Sequence, residues 1–246
     1  INLDWGFLLS VSCIVDTDFY SRILMSTTIP LLVLAALGGT YSISRRRNRR
    51  SVLVIIWLTL LVYSSVSSTI FQTFACDDLG EGGDGYLRAD YSILCGTVRH
   101  HQFQVYAAVM MLIYPLGIPL LYVALMFQHR VALSNETCSR KTREELKPLA
   151  VLWGPYRPSR YYYELVECGR RITLTGIVVF VLPDSAAQIA VTLWLSLMFW
   201  AVSEVLRPYH GFVERWLYRI GHLVVFASMY VALLLDVDVS DEDERS

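Results

Sequence analysis

The stretch from Gln104 to Phe127, QVYAAVMMLIYPLGIPLLYVALMF, holds 24 residues without a charge. A helix of about 20 apolar residues crosses the hydrocarbon core of a bilayer. This run commits the chain to a membrane fold more firmly than any other feature. At its centre stands Pro115-Leu116-Gly117-Ile118-Pro119. Each proline lacks an N–H, so the carbonyls of Met111 and Pro115 lose their usual helical partners. In lipid, such carbonyls need another donor, or a position facing protein or water. The expectation is a helix bent at mid-membrane and packed inside a bundle.

The rest of the chain reads as further spans around it. Hydrophobic residues make up 54% of the sequence and charged residues 17%, whereas soluble domains carry about 25% charge. Apolar stretches predict six spans, at about 23–43, 52–74, 104–127, 161–182, 186–206 and 216–235. The expected fold is an all-α, polytopic membrane helix bundle. Residues 1–21 read as a pre-span segment, 22–237 as the six-span domain and 238–246 as an acidic tail. The opening Ile1-Asn2-Leu3-Asp4 and the polar end suggest a piece of a longer protein. Gly38 and Gly39 in the first span let neighbouring helices approach closely. Serines 64, 65, 67 and 68 in the second span suit hydrogen bonds across helices.

Basic residues orient the spans, because cytoplasmic loops are enriched in Lys and Arg. With the first residues outside, loops 44–51, 128–160 and 207–219 lie inside and hold fifteen basic residues. Only four lie outside. The run Arg45, Arg46, Arg47, Arg49 and Arg50 alone supplies five of the fifteen, and it suits contact with anionic inner-leaflet lipid. Residues 1–21, 77–101 and 238–246 then fall outside. Cys76 and Cys95 close a short outer loop, where disulfides persist, so they form the expected pair, with Cys13 as a competitor. The glycosylation pattern at Asn135 falls inside and is expected to be unused.

The segments NLDWGFLLSVSCIVDTDFYSRIL, FACDDL, GYLRADYSILC, MMLIYPLGIPLLY and LWGPYRPSRYYYELVECGRRITLTGIVVFVLP carry a resemblance. Together they resemble the C-terminal multi-span region of transient-receptor-potential-like membrane proteins of algae, oomycetes and other protists. Those proteins carry cysteine-rich, ephrin-receptor-like repeats or other ectodomains. They are distantly similar to fungal flavin-carrier and polycystin-like proteins. The resemblance implies an ectodomain and flanking spans in the same protein, a plasma or flagellar membrane, and cation conduction. A three-residue link between the fourth and fifth spans, Pro183-Asp184-Ser185, leaves no room for a pore helix and filter there.

Four groups of residues are candidates for function. Pro115, Gly117 and Pro119 fit either a gating hinge or a static kink. Glu164, Glu167, Arg170 and Arg171 lie in the fourth span, where charges at membrane depth normally face protein or water. With Glu204, Arg219 and His222 they fit an inner charge cluster, whether a cation pathway, a sensor or a structural ion-pair network. Glu204 with Arg207, and Arg219 with His222, sit near the inner ends of the last two spans, where they fit either pairing with the fourth helix or separate snorkelling at the interface. The outer acidic residues Asp77, Asp78, Glu81, Asp84 and Asp90 fit a cation-collecting mouth or a solvated loop. They match no calcium-loop spacing. His100 and His101 have no carboxylate or cysteine at ligand spacing in their own segment. The sequence lacks a phosphate-binding glycine loop, GxSxG, HExxH and CxxC. The expectation is therefore a protein that is not an enzyme and holds no cofactor. Its partners are the lipid bilayer, its own missing segments and cations rather than nucleic acid. The alternatives are a non-conducting anchor for a large ectodomain, or a small-molecule transporter.

Overall fold

A computed structural model describes residues 18–43, 49–78, 85–130, 149–177 and 186–243. Two units, Ile1–Val151 and Leu152–Ser246, are taken in turn. Among the described residues five helices are long and apolar enough to cross a membrane: Phe19–Gly39, Val52–Gln72, Val98–Gln128, Ala187–Leu206 and Phe212–Leu235. The protein is a mostly helical, multi-pass membrane protein. Large apolar side chains such as Leu32, Leu120, Trp194 and Leu223 point away from the protein, as a lipid-facing surface requires.

In the first unit, α1 (Phe19–Ile43) packs on α2 (Arg49–Gln72), and α2 packs on the next span. That span comprises α3 (Val98–Met111), a π-helical turn (Leu112–Gly117) and α4 (Ile118–Gln128). The π turn is how the chain accommodates Pro115, and Tyr114 and Pro115 within it are buried. A Cβ on Gly117 would lie 3.1 Å from the Leu112 carbonyl oxygen, a tight approach between the two prolines.

Tyrosines tie the spans together where apolar contact alone gives no register. Tyr114 donates to the Thr27 carbonyl at 2.6 Å. Thr27 Oγ1 shares a hydrogen with Tyr106 at 2.6 Å, and Thr59 does so with Tyr122 at 2.8 Å. All three bonds satisfy polar groups that lipid would leave bare.

The region read as a polar loop contains a small antiparallel sheet, a departure from the all-α expectation. Its strands are β1 (Cys76–Asp78), β2 (Gly85–Leu87) and β3 (Asp90–Leu94), in that order. Cys76 faces Leu87 in the register. Thr97 accepts from His100 N and caps α3, so this helix begins six residues before the expected span at 104. The sheet rests on α1 through a core of Phe19, Tyr20 and Leu87, with Ile93, Cys95 and Phe103 against it.

In the second unit, a short turn α5 (Ala150–Trp153) leads to α6 (Tyr163–Ile172), which continues as a second π-helical turn, Thr173–Ile177. Then α7 (Ala186–Leu206) and α8 (Phe212–Asp243) form an antiparallel hairpin. Residues 238–243, expected as a separate tail, continue the α8 backbone. Arg207 has φ of 44°. This left-handed step ends α7 just before Pro208, which cannot continue it.

Candidate functional site

In the second unit the charges read as an inner cluster fall into three separate arrangements. Glu167 holds the largest. Arg170 bonds both Glu167 carboxylate oxygens, and Arg171 Nε lies 3.5 Å from Oε1. Tyr218 on α8 donates to Oε2 at 3.2 Å and shares a hydrogen with Tyr163. The spacing of three and four residues puts both arginines on the Glu167 face of α6. Glu167 is only 6% exposed, and a charge so buried requires this matched shell.

Glu164, also buried, takes a different partner: Tyr156 donates to its Oε2 at 2.7 Å. Burial, and then the neighbouring Glu164, push the Tyr156 phenol well above its ordinary pKa. Burial first, then Glu167, does the same to Tyr209. Both phenols remain protonated, and Tyr156 serves as the donor to Glu164. Backbone bonds from Arg157 N to Pro208 O (2.8 Å) and from His210 N to Pro155 O (3.1 Å) fix this corner. They bring Tyr156, Tyr163, Tyr209 and Tyr218 into one set of ring contacts.

Glu204 on α7 pairs with Arg219 on α8, through 2.5 and 2.6 Å bonds from the arginine Nε and Nη2. Arg207 lies past the end of α7. His222 is buried, its ring 4.5 Å from that of Tyr218, and neither nitrogen has a hydrogen-bond partner among the described residues.

In the first unit, Cys76 and Cys95 form a disulfide with Cα atoms 6.5 Å apart; Cys13 lies outside the described residues. Asp77 takes Arg88 at 2.6 Å and Tyr91 at 2.9 Å, and Asp90 takes the amides of Phe19 and Ser92 and the Ser92 hydroxyl. These two carboxylates serve the hairpin and its junction with α1 rather than forming an open cation mouth. Asp78 lies in β1, while Glu81 and Asp84 lie outside the described residues. So do Arg45, Arg46 and Arg47, whereas Arg49 and Arg50 open the backbone of α2.

One grouping escaped the reading of the sequence. His100 is fully buried, with Nδ1 3.3 Å from the Tyr20 hydroxyl and Nε2 4.0 Å from Cys76 Sγ. Only the fold brings Cys76 to this histidine, from 24 residues away. No family model, curated protein or solved structure matches the chain.

Proposed function

We propose that this chain is the membrane region of a transient-receptor-potential-like cation channel or sensor. Its spans number six: the five long helices and, between the third and fourth of them, the span expected at about 161–182, of which α6 and the π turn are the described part. The hairpin of β1–β3 faces outside and the arginine-rich loops face inside, following the basic-residue bias. The observation that carries the reading is the buried Glu167–Arg170–Tyr218 network, directly followed by the π turn at Thr173–Ile177. Charges are rare within spans and mark ion pathways and sensors. π turns inside α-helices are enriched at functional sites, and this chain has a second one at its prolines. A cation would be handled by Glu164 and Glu167, whose carboxylates lie one turn apart on α6.

A second reading, the non-conducting anchor, draws on the close matching of these same charges. Arg170 and Arg171 answer Glu167, and Arg219 answers Glu204, which leaves the network serving packing alone.

Current recorded from the full-length protein in giant vesicles, under stretch, voltage and calcium, separates the two. The channel reading expects cation current that Glu167→Gln changes several-fold. Silence under all three stimuli sinks it and leaves the anchor.

A further inference from the structure

We infer that the Cys76–Cys95–His100 grouping is a redox-gated binding site for a thiophilic metal ion of the Zn2+ or Cu+ class. This inference does not rest on the channel reading. The three candidate ligand atoms, two Sγ and Nε2, all lie within 4.8 Å of one another. Two sulfurs and an imidazole nitrogen are the donor set that such ions select.

The geometry requires little movement. With Zn–S near 2.3 Å and Zn–N near 2.0 Å, tetrahedral ligands stand about 3.6 Å (S to N) and about 3.8 Å (S to S) apart. His100 Nε2 is already 4.0 Å from Cys76 Sγ. Once the bond between the sulfurs is broken, side-chain rotation separates them. The backbone is held in place by β1–β2 pairing on one side and by the Thr97 cap of α3 on the other.

The surroundings also fit. A histidine that ligates through Nε2 must carry its proton on Nδ1 and donate it outward. Tyr20 OH stands 3.3 Å from Nδ1, placed to accept that proton's hydrogen bond. Tyr20 stacks on Phe103 with ring centroids 4.1 Å apart, so its hydroxyl is held in place. Three protein ligands leave a fourth position open for water or an exogenous group.

The chemistry balances as follows. An external dithiol delivers two electrons and two protons to the Cys76–Cys95 bond, giving two thiols and the dithiol's own disulfide. The metal ion then displaces both thiol protons as Cys76 and Cys95 coordinate as thiolates. A covalent cross-link between hairpin and helix entry is replaced by a metal cross-link, and the oxidised form has no thiolate to offer.

The test uses the whole chain in detergent, with Cys13→Ser, Cys138→Ser and Cys168→Ala, so that only Cys76 and Cys95 remain. After reduction and removal of reductant, Co2+ is titrated and then displaced by Zn2+. The expected result is one Co2+ per chain with a thiolate-to-cobalt absorption band, absent from the oxidised protein. His100→Ala weakens binding at least about tenfold, and Tyr20→Phe, which removes the outer partner, about tenfold. His100→Cys restores a soft ligand and retains the band, so loss in His100→Ala is not mere unfolding. His101→Ala leaves affinity unchanged. No stoichiometric band in the reduced protein overturns the inference. So does a band whose affinity is indifferent to His100→Ala.

Discussion

Glu167 accepts from Arg170 and Tyr218 and pairs with Arg171 while buried in the protein. Removing one partner of such a pair leaves an uncompensated buried charge, which costs about 3–5 kcal/mol. Arg170→Met should therefore lower the melting temperature in detergent markedly, and Glu167→Gln added to it should recover most of the loss. A single variant that melts like the parent rules out a stabilising network. Asp90 makes a prediction of its own. Hydrogen bonds from the Ser92 hydroxyl, outweighing partial burial, hold its carboxyl below the usual range. A group with a lowered folded pKa stabilises the fold fully above its ordinary pKa, and that contribution is lost as pH falls through the lowered value. Acidification into that window should loosen the hairpin from α1, read as hydrogen exchange at Phe19 and Ser92, and Asp90→Asn should flatten this dependence. At this scale the sequence was legible where partners share a helix, as for Glu167 with Arg170 and Arg171. It was silent on the partner of Glu204, because Arg219 lies 15 residues on and in another helix.

The span through Pro115 shows what an element inherits from its residues. The prolines announced a break, and the chain resolves it as a π turn between α3 and α4. Gly117 lies where a Cβ would stand 3.1 Å from the Leu112 carbonyl oxygen. Gly117→Ala should thus destabilise the protein by about 1–3 kcal/mol, the usual range for forcing extra volume into a packed site. The strain falls on the turn that sets the rotation of α4. Thr59 and Tyr122 share a 2.8 Å bond across to α4, so Thr59→Val should lower the melting temperature in detergent less in Gly117→Ala than in the parent. Equal losses would show that the turn does not set the α4 register. The strands were not legible, because three residues such as Cys76–Asp78 are too short to show an alternating pattern. The extension of α3 back to Val98 was missed because Arg99, His100 and His101 look like loop residues. They are held in the helix by the Thr97 cap and by burial of His100 under the hairpin.

Across the whole chain, the five long apolar helices were readable from sequence because lipid tolerates almost nothing else. The fourth expected span was harder to read, since its charges sit in α6 and residues 178–185 lie outside the described set. The orientation we propose is open to a direct check in cells. On the same background that lacks Cys13, Cys138 and Cys168, Tyr91→Cys should react with an impermeant maleimide added outside. Arg157→Cys should react only after permeabilisation. Equal reaction of both before permeabilisation would refute the orientation. What no reading of one stretch could supply is the meeting of Cys76, Cys95 and His100, which depends on a hairpin folding back over the entry of a helix.

That hairpin also decides where mechanical tension goes. Phe19 N bonds Asp90 and Tyr20 meets His100, so the first turn of α1 is seated on the sheet and on the first turn of α3. A pull reaching Phe19 along the backbone is not borne by α1 alone. It passes sideways through Asp90 and Tyr20 into the disulfide-tied hairpin and the head of α3, the same rod that bends at Leu112–Gly117 further down. A tug on one strand of chain is converted into torque on another.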